Sequence, residues 1–130
     1  MEDSELVECH FLVPLVRDGN RRPHQPSAWR FLQDSLFRRF GGRSGPEGLY
    51  VAIRPTPGEY KSHSGGRVED ESRRYIVAVE ESRVDELKRF LARVANTFDQ
   101  EAIYLSVRGR VVFVQADDGA GDLADEGEEG

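Results

Sequence analysis

Five polar side chains are of the types that orient a small polar ligand or move a proton: Arg54, Tyr60, Glu71, Gln100 and Glu101. A phenol, a carboxylate and a guanidinium lining a pocket on the sheet can orient a small polar ligand or act in proton transfer. These residues lie on separate stretches, so only the fold can make them a site. Gln100 and Glu101 also have a plainer use, as a cap that ties the last strands to the end of a helix. The three histidines, His10, His24 and His63, fall on a strand and two different loops. Their spacing is not that of metal ligands, so they read as ordinary polar or surface side chains, with no metal and no cofactor expected. Cys9 reads as a small buried apolar residue, because His10, the nearest base, points to the opposite face of the same strand. Gly41-Gly42-Arg43-Ser44-Gly45 is glycine-rich but follows a helix, whereas a phosphate cradle precedes one. It reads as a helix stop.

The elements that would position these residues follow from periodicity. Leu6 to Val16 alternates with apolar residues on both faces, as a central strand does, although Pro14 removes a ladder donor. Ser27 is of the type that caps a helix, and Trp29, Leu32, Leu36 and Phe40 then form one helical stripe. Phe31 falls off that stripe, beside Arg38, and the pair is a candidate partner surface. Gly48 to Arg54 reads as a strand, Glu59 to Glu71 as the tip of a long hairpin, and Arg74 to Glu80 as the next strand. Ser82 with Asp85 approximates a capping box ahead of a second helix, whose stripe runs from Val84 to Phe98. Ala102 to Val107 and Arg110 to Val114 form either a tight hairpin or one strand bent at Gly109.

The order is β-α-β-β-α-β, the ferredoxin-like α+β arrangement. It places two helices on one face of an antiparallel sheet, with room for an extra C-terminal strand. Residues 1–5 form a polar lead-in, 6–116 a single domain, and 117–130 an acidic tail expected to be disordered. The net charge of −6 comes from that tail, whose seven acids stand without a base; the rest has 17 acids against 18 bases. One cysteine excludes an internal disulfide framework and suits a reducing compartment. The start, Met1 to Glu8, is acidic where a secretory signal is basic. The longest apolar run, Phe11 to Val16, falls far short of the roughly 20 residues that span a bilayer. The expectation is a soluble, cytoplasmic protein with no membrane partner.

Several motifs resemble a family of small bacterial proteins known as a domain of unknown function. They are Trp29 in a helix ending at Phe40, the strand start Gly48-Leu49-Tyr50, Tyr60 shortly after Gly58, Asp70 two before Ser72, and Phe98-Asp99-Gln100-Glu101-Ala102-Ile103. Together they span about Phe11 to Phe113, and the Phe-x-Gln-Glu step is the most specific. Relatives often have tryptophan where Tyr60 stands, with a shorter loop before it, and the acidic tail is outside the pattern. The resemblance implies an α+β fold and carries no activity.

The second sheet face of such a fold needs a cover, and a second copy is the economical one. The leading expectation is therefore a non-catalytic homodimeric module that binds a protein or a small ligand. One alternative is a small enzyme of the dimeric α/β-barrel type, with a pocket between sheet and helices. Another is an RNA or single-stranded DNA binder using the seven arginines from Arg17 to Arg43. A near-neutral body and sheet strands without the aromatic RNA-binding signature argue against nucleic acid.

Overall fold

The computed structural model describes residues 6–41, 45–55 and 67–123, with the backbone alone for 45–55 and 67–70. Seven main elements follow in order: β1 (Leu6–Pro14), α1 (Pro26–Phe40), β2 (Gly45–Pro55), β3 (Arg67–Glu80), α2 (Val84–Thr97), β4 (Ala102–Val107) and β5 (Arg110–Gln115). The strands form one sheet in the order β2-β3-β1-β4-β5, each pair antiparallel. The first four strands have the ferredoxin-like arrangement, and β5 is the extra C-terminal strand added outside β4.

Alternation decides which face carries the helices. Val7, Cys9, Phe11 and Val13 of β1 are buried, opposite Val79, Val77, Tyr75 and Arg73 of β3. Leu32 and Leu36 of α1, and Leu87, Leu91, Val94 and Ala95 of α2, close this core from above. Removing one such side chain costs about 2–5 kcal/mol, through lost transfer energy and the cavity left behind. The other face carries Leu12, Ile76, Tyr104 and Phe113, and Phe113 is 61% exposed in the single chain.

The helices are joined at one end by ions. Arg83 donates through Nε to Glu86 Oε1 at 2.9 Å and through Nη2 to the Arg39 carbonyl at 2.9 Å. Arg39 also reaches Glu86, at 3.4 Å. The Arg83 guanidinium holds the Glu86 carboxyl below the usual carboxylate range.

Several local expectations differ from the structure. Neither Ser27 nor Ser82 caps a helix: α1 begins after Gln25 with Pro26 as its first residue, and α2 follows a 3₁₀ turn, Glu81–Arg83. Proline at N1 supplies a preset φ and lacks the N–H that would otherwise be orphaned. β3 begins at Arg67 rather than Arg74, because β2 pairs with it along its whole length, with a bulge between Pro46 and Gly48. At Arg108-Gly109 the chain forms a two-residue hairpin turn. Both residues have positive φ, 53° and 81°, and Val107 pairs with Arg110. That backbone matches the twist of the flanking strands. The acidic stretch expected to be disordered is described as far as Leu123, and there it is packed: the Leu123 side chain lies fully within the core. No helix among the described residues is long and apolar enough to cross a membrane.

Candidate active site

The end of the sheet where β1 leaves the core gathers most of the polar chemistry. Beyond Pro14 the chain folds back on itself. Val16 forms a bridge with Pro23, the Arg17 N–H donates to the Arg22 carbonyl at 2.9 Å, and Arg21 adopts the left-handed φ of 59° that closes the turn. This return delivers His24 to a place between the helices. Its ring packs edge-on against Phe98, with centroids 4.7 Å apart, and against Trp29 at 5.6 Å. Trp29 in turn meets Phe98 at 4.8 Å and carries the Arg73 guanidinium over its ring at 4.2 Å. Stacking of this kind fixes side-chain orientation beyond simple burial.

His24 is only 8% exposed. Its Nε2 lies 2.9 Å from the Pro14 carbonyl, which can only accept, so Nε2 bears the proton and the neutral ring offers Nδ1 as the basic atom. Burial pushes the imidazole below its ordinary pKa, and Arg17 adds to this. The Pro14 hydrogen bond and Asp99 oppose it. His24 borders an open cleft of about 400 Å³ between the start of α1 and the end of α2. Phe31 and Ser27 line one side, Asn96 and Thr97 the other, and Arg17, Asp99 and Asp122 bring charges to it. Asp99 is a non-glycine residue at φ 52°, and its carboxylate sits 3.6 Å from where a Gly19 Cβ would be.

The residues expected to form a site divide as follows. Gln100 is buried, and its amide Nε2 donates to the carbonyls of Val16 and Phe98, each at 2.9 Å. It thereby binds the end of α2 to the exit of β1. Glu101 next to it is exposed: its backbone N–H donates to Asp18 Oδ2 at 2.9 Å, and its carbonyl accepts from Ala116. Glu71 is also exposed, and its carbonyl accepts from the Leu15 N–H at 2.9 Å. The short run Leu15–Asp18 thus brings Glu71, Gln100 and Glu101 to one end of the sheet. Arg54 pairs through its backbone with Val68, its side chain lying outside the described residues, as does Tyr60 altogether. Phe31 is half-buried against the core and faces the cleft, whereas Arg38 is exposed and donates to Ser35 Oγ at 3.4 Å.

His24 is the functional candidate that spacing alone misses. Its partners Phe98 and Pro14 come from other elements, and only the fold supplies them. Cys9 offers no nucleophile: it is fully buried, and desolvation pushes its thiol pKa up. Among the described residues no group of three or more His, Cys, Asp or Glu is arranged to hold a metal ion.

No family model matches the chain, and no curated protein matches it. Solved structures do. A phage SAM lyase in complex with S-methyl-5'-thioadenosine is similar at a TM-score of 0.56 and 16% identity, covering 89% of this chain and 95% of that one. A phage SAM lyase in its apo state gives 0.56 and 14%, covering 90% and 96%. At such identities the likeness is one of fold. It corrects the expectation of a non-catalytic module, because the solved structures that share the fold over nearly the whole length are those of an enzyme.

Proposed function

We propose that this chain is a small enzyme acting on a sulfonium nucleoside of the S-adenosylmethionine class, with the His24 cleft as its reaction centre. The observation that carries this is a buried histidine pinned through Nε2 to the Pro14 carbonyl, kept neutral by burial, at the edge of a cleft that also holds carboxylates. A base in that state accepts a proton without first losing one. The likeness to a SAM lyase fold supports the choice of ligand class.

The roles follow from chemistry. Phe31 offers an apolar wall to a purine ring, and the carboxylates of Asp99 and Asp122 suit a sulfonium cation and ribose hydroxyls. Arg17 suits the ligand's own carboxylate. His24 Nδ1 removes a proton from the amino-acid chain of the ligand, at the carbon next to the one bound to sulfur, and that chain leaves as an unsaturated amino acid. The C–H electron pair becomes a carbon–carbon double bond, and the C–S pair leaves with sulfur as a neutral thioether. Gln100 acts as a positioning residue that holds the β1 exit, and so the Pro14–His24 hydrogen bond, in place.

The test is incubation with S-adenosylmethionine, with liquid chromatography for S-methyl-5'-thioadenosine. Wild type releases the thioether, and His24→Gln loses about a hundredfold or more in rate while remaining folded by circular dichroism. The absence of both product and binding heat at millimolar ligand contradicts the proposal.

A further inference from the structure

Beyond β5 the chain turns back along α2 and is held at several points. Asn96 Nδ2 donates to the carbonyls of Asp117 and Gly121, each at 2.7 Å. Thr97 Oγ1 accepts from the Leu123 N–H at 2.8 Å, and the Leu123 side chain is wholly within the core. Asp117 closes its own turn by accepting from the Gly119 N–H at 3.0 Å. The anchors Asn96 and Thr97 are also cleft residues, and so is Asp122, which lies between the Gly121 and Leu123 contacts. Asp122 is itself held by an interaction within the protein.

We infer that the segment ending at Leu123 closes one side of the His24 cleft through Asp122, with Leu123 as its anchor, and that Asp122 is a specificity-determining residue that selects a cationic ligand over a neutral one. Among the described residues, the charged groups lining the cleft are Arg17, Asp99 and Asp122. With His24 neutral, the side chains that line the cleft sum to one negative charge, and without Asp122 to none. A sulfonium nucleoside and the thioether it yields differ by one positive charge, so this carboxylate separates substrate from product. Coulomb attraction across a few ångströms of partly desolvated space is large enough for a difference of about tenfold in affinity. The identity of the ligand rests on the function proposed above; the place of the segment as a cleft wall does not.

The experiment uses the full chain, titrated calorimetrically with S-adenosylmethionine and with S-methyl-5'-thioadenosine. The same samples are followed by NMR for the His24 titration and by amide hydrogen exchange. Asp122→Asn is expected to weaken the sulfonium ligand about tenfold and to leave the thioether unchanged within about twofold, in a chain that still melts cooperatively. Equal effects on both ligands, or none on either, overturn the assignment of specificity. Leu123→Ala is expected to speed exchange across Asp118–Leu123, to raise the His24 pKa toward its ordinary value as the wall lifts, and to weaken both ligands; Leu123→Met restores wild-type behaviour. An unchanged His24 titration with fast exchange in Leu123→Ala overturns the wall. Should Leu123→Ala unfold outright, the milder Leu123→Val decides the same point by the same two readings. If wild type binds neither nucleoside, the proposed ligand class and the specificity assignment fall together, and the His24 titration still judges the wall.

Discussion

His24 illustrates how burial can turn a common side chain into a poised one. Desolvation favours its neutral form, and the Pro14 carbonyl settles which nitrogen carries the proton. Because its folded pKa lies below the unfolded value, the unfolded chain takes up a proton first as the pH falls through about 6.5. The stability contributed by neutral His24 is therefore complete above that pH and is lost between it and the lower folded pKa. A urea series from pH 8 to pH 5 should show this loss in wild type, and a smaller one in His24→Gln. In the same way, the acid limb of any turnover should lie below the ordinary imidazole value. Gln100 has a different role. Its amide satisfies the carbonyls of Val16 and Phe98 inside the fold. Gln100→Ala strips both, and a cost of about 1–3 kcal/mol per stranded group is expected in denaturant unfolding. Unchanged stability would show that water replaces the amide at no cost.

At the scale of elements, what was legible in the sequence was whatever repeats with a period. The α2 stripe and the alternation of β1 identify themselves, because each buries one face against the core. The start of β3 did not, since Arg67-Val68-Glu69-Asp70-Glu71 has no apolar alternation and is a strand only through its pairing with β2. Leu123 was hidden for the opposite reason: one apolar residue among acids barely changes a composition, yet it reaches the core beside Thr97. The β4–β5 turn was narrowed to two forms by Arg108-Gly109, and the register of β5 decided for the hairpin. Gly109 sits at φ 81°, and nothing lies within 4 Å of where its Cβ would stand, so strain and not space governs substitution there. Gly109→Ala should cost about 1–2 kcal/mol by urea unfolding, because an L residue resists left-handed backbone. A neutral substitution would mean that the hairpin relaxes to another turn.

At the scale of the whole molecule, fold and site were legible to different degrees. A ferredoxin-like sheet with its two helices follows from the order of periodic segments, and the structure has it, with β5 outside β4. The cleft does not follow, because its walls come from three separate stretches of the chain: the β1 exit with the start of α1, the end of α2, and Asp122 in the segment ending at Leu123. Gln100 and Glu101 were recognisable as a notable pair, yet the structure puts them to different uses, one buried as a clamp and the other exposed. The solved structure of a phage SAM lyase shares this fold, at 16% identity over 89% of the chain. The most direct measurement is therefore chemical. Purified protein mixed with S-adenosylmethionine at neutral pH should release S-methyl-5'-thioadenosine, with the yield abolished in His24→Gln and retained in Arg38→Ala. Equal release by wild type and His24→Gln, or none by wild type, would contradict a reaction centred on this histidine.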